Sequence, residues 1–479
     1  MKQPDIRLNW FFNLISKTIS YMAPLIVTPY VSRIFGADGI GINSYTTANV
    51  TYFTLFCMLG ISGYGRRMIA IHRNDKEETS RLFWELTVLH GVTSLVVFIL
   101  YIFLIVCSAK YRAYYIVNII TILASVIDFN WFFEAYECFK FISLRNCGMK
   151  ILLIILTFGL IHTEEDLLLY IGLNALSIFI ANFSILFKLK KYVNFVPVKS
   201  IHWVRHLKEV LIYFIPTIAA SIYSILDKSV INWITGSESE NGYYEQAYKI
   251  LMVINTFVHS LETVSAPRMS NLFANGTKEE FNTRLNDSLK VMLVIAMPCA
   301  MGVAAVAPTL VPVFFGAGYE KVISILYIFM PLVVVLGFSV YADGLYLVPS
   351  GQRGKSAVAV CVGAGLNLVL NIVLVIKWQS VGAAVATLVT EMVVSSIMLC
   401  MSRRVIRWKE ILISIMKYGL AAGIMFAVVR GIGIIPFTGV VSLALQIVSG
   451  ACVYMILLII WHDEFAGRII CALKRQRRG

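Results

Sequence analysis

Long blocks of apolar residues alternate with short polar segments along almost the whole chain. Blocks of roughly 20 residues match the length of helix that crosses the hydrocarbon core of a bilayer. The pattern predicts fourteen spans, at residues 8–32, 40–64, 82–107, 113–134, 146–162, 167–187, 211–234, 243–265, 288–315, 322–348, 355–376, 381–401, 412–433 and 438–461. A transmembrane barrel would instead show alternating residues. The predicted fold class is therefore an all-α polytopic membrane protein with about 14 transmembrane helices.

Polar residues within several spans recur at i, i+4, i+7 and i+11, which places them on one helical face. The first and seventh spans carry Asn13, Lys17, Ser20, Pro24 and Thr28, and Thr217, Ser221, Ser224, Lys228 and Asn232. The second, fourth and eighth carry Asn43, Thr47, Thr51 and Thr54; Asn118, Thr121, Ser125 and Asp128; and Glu245, Lys249, Thr256, Ser260 and Thr263. Single Ser and Thr residues often serve only to join helices. Whole stripes that include lysine favour a water-filled cavity.

A weak internal repeat divides the chain. A span followed by a Gly-containing turn, a polar-headed span and a basic segment occurs once from Gly39 to Arg67 and again from Gly242 to Arg268. Both copies start on the same side, so the repeats are parallel, which is typical of transporters with a site between two halves. We predict a six-helix lobe at 1–187, a cytoplasmic linker at 188–210, a second six-helix lobe at 211–401, and two further helices with a basic tail at 402–479.

The positive charge of the chain is distributed unevenly. Only 14% of residues are charged, against about 25% in soluble domains, yet the net charge is +14. Of 41 Lys and Arg residues, 31 fall in segments on one side and six on the other. Basic loops face the cytoplasm, so both termini are predicted to be cytoplasmic. The charge is therefore explained by topology and anionic lipid, and nucleic-acid binding is not expected.

The sequence gives little support for disulfides, a metal site or a nucleotide-binding loop. The nine cysteines form no CxxC pair, so neither a disulfide framework nor a metal site is expected. Gly351-Gln352-Arg353-Gly354-Lys355-Ser356 resembles a phosphate loop, but Pro349 stands where its first glycine is required. We expect no cofactor and no enzymatic activity, and transport energy would come from a substrate or ion gradient, with H⁺ or Na⁺ as the coupling ion.

Four lysines remain inside predicted spans. Lys417 lies near a cytoplasmic end, whereas the other three lie deeper, where a cation costs roughly 2.5–3.5 kcal/mol. Lys17 has no acidic neighbour one turn away, whereas Lys228 follows Asp227 and Lys249 lies one turn from Glu245. Each of the latter two is either neutralised internally or available to an anionic ligand.

Several other polar groups in or beside the spans are candidate site residues. Arg33, at the outer end of the first span, is a candidate gate or an interface anchor. Asn13 and Ser224 are candidate ligand contacts on the lysine-bearing stripes. Asp128, Asp227, Glu245 and Glu262 would orient the cations or carry the coupling ion.

Several segments, in chain order, resemble a known family. They are Pro29 to Gly36 with Gly39-Ile40-Gly41, Leu59 to Arg67, Asp128 to Phe133, Leu226-Asp227-Lys228, Gly242 to Lys249, Pro267-Arg268-Met269-Ser270, and Asn367 to Asn371 with Val381 to Thr387. These segments are similar to those of bacterial Wzx-type polysaccharide flippases. Those flippases are members of the multidrug/oligosaccharidyl-lipid/polysaccharide exporter superfamily.

The resemblance implies a function. Members move an undecaprenyl-diphosphate-linked oligosaccharide, of capsule, O-antigen or teichoic-acid type, from the cytoplasmic to the outer leaflet of the bacterial cytoplasmic membrane. The headgroup would pass through a central cavity by alternating access, and polymerases or glycosyltransferases would be partners. The alternative is a cation-coupled multidrug antiporter of the same superfamily, against which the buried lysines argue. A membrane glycosyltransferase or polymerase would need a large catalytic loop or domain, which the pattern does not contain.

Overall fold

The computed structural model describes residues 6–107, 110–197, 200–435, 438–463 and 467, with side chains from Ile19 onward apart from a few within helices. By its internal packing the chain forms two compact units, Met1–Gly242 and Tyr243–Gly479.

The first unit is built from helices that follow the predicted apolar blocks. They are α1 (Ile6–Met58), α2 (Ile61–His72), α3 (Lys76–Cys107), α4 (Arg112–Val117), α5 (Ile119–Val126), α6 (Asn130–Ala135), α7 (Phe139–Leu160), α8 (Leu167–Leu189) and α9 (Leu207–Thr235). Short 3₁₀ turns at Glu164–Asp166 and Trp203–His206 precede α8 and α9. The first turn of α10 (Glu238–Asn275) completes this unit.

The second unit contains the remainder of α10 and five further helices. They are α11 (Lys278–Phe315), α12 (Glu320–Ala342), α13 (Arg353–Ser402), α14 (Trp408–Ile432) and α15 (Gly439–Ile460). A π-helical turn, Asp343–Leu347, extends α12.

Two of the helices contain a sharp turn and hold two predicted spans each. Gly36 has φ 61° in α1, and Gln379 has φ 55° in α13. Gly36 suits its turn because glycine adopts positive φ without a Cβ clash. The spans predicted at 8–32 and 40–64, and at 355–376 and 381–401, are thus separated where the sequence placed short outer loops.

Every predicted span is largely helical, although the second runs from α1 into α2 and the fourth is divided among α4, α5 and α6. The all-α polytopic class is confirmed. Within the described residues, nine helices are long and apolar enough to cross a membrane. One of these nine is α13, which holds two predicted spans. The eighth span, α10, is not among them, because its polar stripe lowers its hydropathy. The count of fourteen stays a prediction.

The division between the units falls at Gly242, whereas the sequence placed the boundary in the linker at 188–210. The reason is local packing: α9, predicted as the first helix of the second lobe, contacts α1 and α2. The six-helix lobes inferred from the repeat stay a prediction.

The linker is tied to the first unit by a buried carboxylate. Glu85 of α3 is fully buried and accepts hydrogen bonds from the backbone N–H of His202 at 3.0 Å and from Arg205 Nη2 at 2.5 Å. His206 Nε2 lies 2.7 Å from the same carboxylate, and its Nδ1 lies 2.8 Å from the hydroxyl of Tyr64. These contacts fix the start of α9 against α2 and α3.

In the second unit, the last two helices pack on α11. Tyr454 donates a 2.9 Å hydrogen bond to the carbonyl of Val294, and Lys290 pairs with Glu410 at 2.6 Å. Lys417, which the sequence placed near a cytoplasmic helix end, pairs with Asp463 at 2.6 Å. The helices α14 and α15 are therefore anchored within this unit by buried and half-buried polar contacts.

Candidate functional site

A polar cavity lies in the first unit between the second segment of α1 (37–58), the helices α4 and α5, and α8. Its volume is about 300 Å³. It is lined by Asn43, Thr47, Thr51, Thr54, Asn118, Thr121, Ser125, Asp128, Asn174 and Asn182, with apolar Val50, Ile171, Ala175 and Ile178. The polar stripes of the second and fourth spans both face it. The cavity predicted from the lysine-bearing stripes of the first, seventh and eighth spans stays a prediction.

The threonine hydroxyls of the cavity donate within their own helices. Thr51 donates to the carbonyl of Thr47 at 2.7 Å, and Thr47 donates to Oδ1 of Asn43 at 3.4 Å. Thr121 donates to Oδ1 of Asn118 at 3.2 Å. Since a hydroxyl has one hydrogen and two lone pairs, each of these oxygens still has acceptor capacity toward the cavity.

The asparagines add both kinds of hydrogen-bonding group. Asn174 donates through Nδ2 to the carbonyl of Tyr170 at 2.8 Å. Within the described part of the chain, the amide oxygen of Asn174 and the amino group of Asn43 have no hydrogen-bond partner, and both side chains are half-buried. The cavity therefore contains at least one unused acceptor and one unused donor.

Asp128 stands at the end of the cavity, at the junction of α5 and α6. Its Oδ1 accepts from the backbone N–H and the Nδ2 of Asn130, at 3.0 and 2.7 Å. The Oδ1 of Asn130 in turn accepts from Arg145 Nη2 at 2.7 Å. This chain of contacts orients the carboxylate and leaves its Oδ2 unbonded among the described residues.

The chemistry of the cavity follows from this inventory. Its described lining contains one carboxylate, several amides and hydroxyls, and no Lys or Arg. Room for about ten water molecules at ~30 Å³ each is enough for one sugar ring with some water left in place. Such a site suits sugar hydroxyls, which both donate and accept, or a small cation near Asp128. It does not suit a phosphate.

A ladder of polar contacts joins α1 to α9 beside this cavity. Ser229 Oγ donates to Asn49 Oδ1 at 3.2 Å, and Asn49 Nδ2 donates to the hydroxyl of Tyr115 at 2.7 Å. One turn further along α9, Trp233 Nε1 donates to the hydroxyl of Tyr45 at 2.9 Å. These hydrogen bonds, the one from Ser229 buried and the one from Trp233 nearer the surface, hold the two helices in register.

At the predicted outer end, α1 and the first turn of α10 approach almost backbone to backbone. A Cβ on Gly41 would overlap the carbonyl of Glu238, and a Cβ on Gly242 would overlap the carbonyl of Ala37. Glycine is needed at both positions because any side chain would push the backbones apart.

The carboxylate of Glu238 ties the outer loops together. It forms an ion pair with Lys110 and accepts a 2.9 Å hydrogen bond from the hydroxyl of Tyr111. Partial burial favours the protonated acid, but the contacts from Lys110 and Tyr111 outweigh this and hold the pKa of Glu238 below its ordinary value. The hydrogen bond with Glu238 likewise raises the pKa of Lys110.

Comparison with known proteins identifies the family. A family model described as polysaccharide biosynthesis protein matches residues 6–273, more than half of the chain. The chain belongs to this family. A protein of Escherichia coli (strain K12) named "Putative O-antigen transporter" is 24% identical over 415 residues, which cover 83% of this chain and 97% of that protein. The resemblance stated from the sequence motifs is confirmed.

Solved structures show that this polysaccharide biosynthesis protein shares its fold with transporters. The lipid II flippase MurJ, in an inward closed conformation, superposes with a TM-score of 0.74 at 18% identity, over 95% of this chain and 99% of that one. An outward-facing multidrug transporter of the MATE family, described as a member of the MOP superfamily, superposes with a TM-score of 0.55 at 16% identity over 84% of this chain and 94% of that one. Both likenesses concern the fold.

Three of the predicted contacts of this family member fall where the structure describes no side chain. Asn13, Lys17 and Ser224 lie outside the described side chains, although all three positions belong to helices α1 and α9. Their roles stay predictions.

Lys228 and Asp227 are described and differ sharply in environment. Asp227 is only 3% exposed, whereas Lys228 is half-buried. Asn241 Nδ2 donates to the backbone carbonyl of Lys228 at 2.7 Å, which joins the first turn of α10 to α9. The predicted neutralisation of Lys228 by Asp227 stays a prediction.

On α10, Lys249 lies beside Glu245, the acidic residue that the sequence offered as its neutralising partner; the role of Lys249 toward a ligand stays a prediction. Its Nζ lies 3.6 Å from Oε1 of Glu245, one helical turn earlier, with the lysine side chain 29% exposed and the glutamate 14%. Lys249 thus carries a neutralising partner and also retains some access to its surroundings. Lys228 belongs to the first unit and Lys249 to the second.

Two further predicted residues are placed by the described coordinates. Glu262 on α10 lies with its carboxylate against the backbone of Gly344, in the π-helical turn that follows α12. Arg33 is exposed near the end of the first segment of α1. The structure places Asp128 alone, of the four predicted acidic residues, in the polar cavity; Glu262 and Glu245 lie elsewhere, in the second unit.

Sequence reasoning missed the contribution of α8 to the cavity. Asn174 and Asn182 are eight residues apart, which places them on one face with Ile178 between them. That spacing was available in the sequence, but two amides in an apolar span gave a weaker signal than the longer Thr and Asn stripes. The contacts of Lys110, Tyr111 and Glu238 were also missed, because they join loops that are distant in sequence.

Proposed function

We propose that this protein is a lipid-linked oligosaccharide flippase. It would move an undecaprenyl-diphosphate-linked repeat unit, of capsule, O-antigen or teichoic-acid type, from the cytoplasmic to the outer leaflet of a bacterial cytoplasmic membrane. The observation that carries the proposal is a hydroxyl- and amide-lined cavity inside a membrane protein of the polysaccharide biosynthesis family. The name of the Escherichia coli relative and the fold of the lipid II flippase support it.

The substrate has two chemically different parts, a neutral oligosaccharide and an anionic diphosphate. The polar cavity is suited to the oligosaccharide. Its spare donors and acceptors match neutral sugar hydroxyls, which prefer partners that both donate and accept. The unbonded amide oxygen of Asn174 and the amino group of Asn43 would each take one hydroxyl. The diphosphate needs cations, which the described lining lacks.

The diphosphate would be met by Lys17, Lys228 and Lys249. A lysine about 4 Å from a phosphate charge contributes roughly 4 kcal/mol at an effective dielectric constant near 20. Two or three such contacts offset the loss of phosphate hydration while still permitting release. Arg33, Asn13 and Ser224 would complete these contacts, and the pairing of Lys249 with Glu245 would moderate its charge.

Alternating access would be driven by an ion gradient. Asp128 offers one unbonded carboxylate oxygen to a proton or Na⁺, with Asp227, Glu245 and Glu262 as further carriers. The α1–α9 ladder and the Glu238 contacts would have to separate when the outer side opens. In this proposal the termini are cytoplasmic, and the polymerase or glycosyltransferases of the same glycan are partners.

The test is flux of the lipid-linked substrate in cells that depend on this protein. Lys17→Ala is expected to reduce outward flipping about tenfold or more at normal expression, whereas Lys409→Ala, at an exposed position in the first turn of α14, should leave it unchanged. Normal flux in the Lys17 variant would remove that residue from the mechanism. If the cells instead become sensitive to cationic drugs while glycan export is intact, the multidrug antiporter alternative is correct.

A further inference from the structure

The second unit contains a larger groove that the proposed function does not use. It lies along the last part of α13, beside the turn that follows α12, and has a volume of about 1070 Å³. Its lining divides into two chemically distinct ends. One end is mainly apolar and includes Val389, Met392 and Ser396, and the other is basic and includes Lys355, Arg403 and Arg404. We call it the basic groove.

The apolar end of the basic groove belongs to a helix that the surrounding protein leaves open. Val389 and Met392 are 38% and 50% exposed. The opposite face of the same helix segment is packed inward, with Thr390, Val394 and Met398 buried. Because α13 is one of the helices apolar enough to cross a membrane, its exposed apolar face is suited to hydrocarbon chains.

The cationic side chains at the other end make few contacts with other described residues. Among the described residues, Arg403 and Arg404 are exposed and form no ion pair or hydrogen bond through their side chains, and Lys355 donates only to Oε1 of Gln352, at 2.8 Å. The neighbouring Arg407, by contrast, is engaged with Thr283 at 3.1 Å. The described lining of the groove contains no acidic residue.

The positions of these three cationic residues indicate which side of the membrane the basic end of the groove faces. Lys355 and the two arginines belong to the two loops that the distribution of Lys and Arg predicts to be cytoplasmic. Basic pockets beside transmembrane helices on this side attract anionic headgroups, while the acyl chains remain against the helices. A ligand that fills both ends must be an amphiphile with a phosphate headgroup and long apolar chains.

We propose that the basic groove binds an anionic phospholipid of the cytoplasmic leaflet. The lipid phosphate lies between Arg403, Arg404 and Lys355, and its acyl chains follow α13 past Ser396 and Met392. This binding is independent of the transported substrate and does not require the proposed function.

The test is native mass spectrometry of the purified full-length protein titrated with phosphatidylglycerol or with phosphatidylcholine. We expect the unmodified protein to retain phosphatidylglycerol at least fivefold more strongly than phosphatidylcholine. Arg403→Gln with Arg404→Gln should remove this preference. The control, Arg353→Gln with Lys409→Gln, removes the same charge from exposed positions outside the groove, and it should stay within twofold of the unmodified protein.

A second variant tests the apolar end while leaving every cation in place. Ser396→Trp fills the middle of the groove and should weaken phosphatidylglycerol retention at least fivefold with an unchanged melting temperature. If Arg403→Gln with Arg404→Gln and the control double variant lose phosphatidylglycerol retention equally, net charge alone explains the binding. If Ser396→Trp retains phosphatidylglycerol fully, the lipid binds elsewhere. Either result overturns the proposal. So does a groove that retains a polyprenyl-diphosphate oligosaccharide but not phosphatidylglycerol.

Discussion

The hydroxyl of Tyr111 donates a 2.9 Å hydrogen bond to Oε1 of Glu238. This contact joins the turn before α4 to the first turn of α10, and it lies next to the point where Gly41 and Glu238 approach backbone to backbone. Any movement that separates α1 from the start of α10 must therefore break it. This single hydrogen bond contributes little energy, but its presence or absence reports whether this end of the first unit is closed.

Glu238→Ala is expected to loosen this end. The change removes the hydrogen bond from Tyr111 and the ion pair with Lys110, whose side chain is 64% exposed, so the pair itself adds little. A net contribution of about 0.5–1.5 kcal/mol corresponds to roughly two- to tenfold more of the separated state. Spin labels at positions 38 and 239, in a cysteine-free background, would report a longer distance component. Glu165→Ala, an exposed acidic residue of another predicted outer loop, is the matched control and should leave the distances unchanged.

The same contact predicts a pH dependence. The pKa of Glu238 is held below its ordinary value of 4.5, so its stabilisation is fully present above pH 4.5 and is lost as the pH falls through the lowered value. The pKa of Lys110 is raised above 10.5, so its share is present below pH 10.5 and is lost only above that. The spin-label distances should therefore be constant between pH 6 and 9 and lengthen in acid. A transition near neutral pH, or one that persists in Glu238→Ala, would assign the response to another group.

Helical periodicity was sufficient to predict which residues of the second and fourth spans share a face, and these residues line much of the polar cavity. Asn43, Thr47 and Thr51 recur every four residues, and the stripe from Asn118 to Asp128 recurs every three or four on the fourth span, so each stripe lies on one face. A bilayer-spanning helix has few ways to satisfy such a face except with a neighbour or a cavity. Side-chain type and spacing are local properties, and they were read correctly.

The sequence could not predict the features that depend on contacts between residues distant along the chain. Nothing near Gly41 indicates that the backbone of Glu238 lies against it, and nothing near Glu85 indicates that residues of the linker surround it. The placement of α9 with the first unit has the same origin, because helix packing depends on shape complementarity across the fold. The side chain of Lys17 lies outside the described residues, and its role stays a prediction.

Thr47 and Thr46 form a natural matched pair for testing the cavity. Both hydroxyls donate within α1, but Thr47 lines the cavity while Thr46 is buried away from it. Thr47→Val should reduce the rate of lipid-linked oligosaccharide flipping about two- to tenfold, the value of one net hydrogen bond. Thr46→Val should affect the melting temperature more than the rate. Equal rates for the two variants in proteoliposomes would mean that the substrate does not enter this cavity.

Lys249 and Glu245 allow a charge-swap experiment. If their 3.6 Å pair serves only to neutralise the lysine, exchanging the residues as Glu245→Lys with Lys249→Glu should restore activity lost in either single variant. If Lys249 contacts the diphosphate, the cation has moved by one helical turn, or about 5.4 Å, and flux should stay low. We expect the second result, with normal expression and melting temperature in the swapped protein. Full rescue of flux would assign the pair a structural role alone.

Glu85 should be more important to stability than any exposed acidic residue near it. It is fully buried and accepts from the N–H of His202 and from Arg205, beside His206. Glu85→Ala leaves these donors without their acceptor, at a cost of about 1–3 kcal/mol per buried unsatisfied group. For Arg205 the low end of this range applies, because its side chain is half-exposed. The melting temperature should fall by several degrees, and protease cleavage in the linker should accelerate, because the linker is held by this carboxylate. Glu209→Ala, on the exposed face of α9 one turn away, should change neither quantity. If linker cleavage is unchanged in Glu85→Ala while the melting temperature falls, Glu85 stabilises α3 without anchoring the linker.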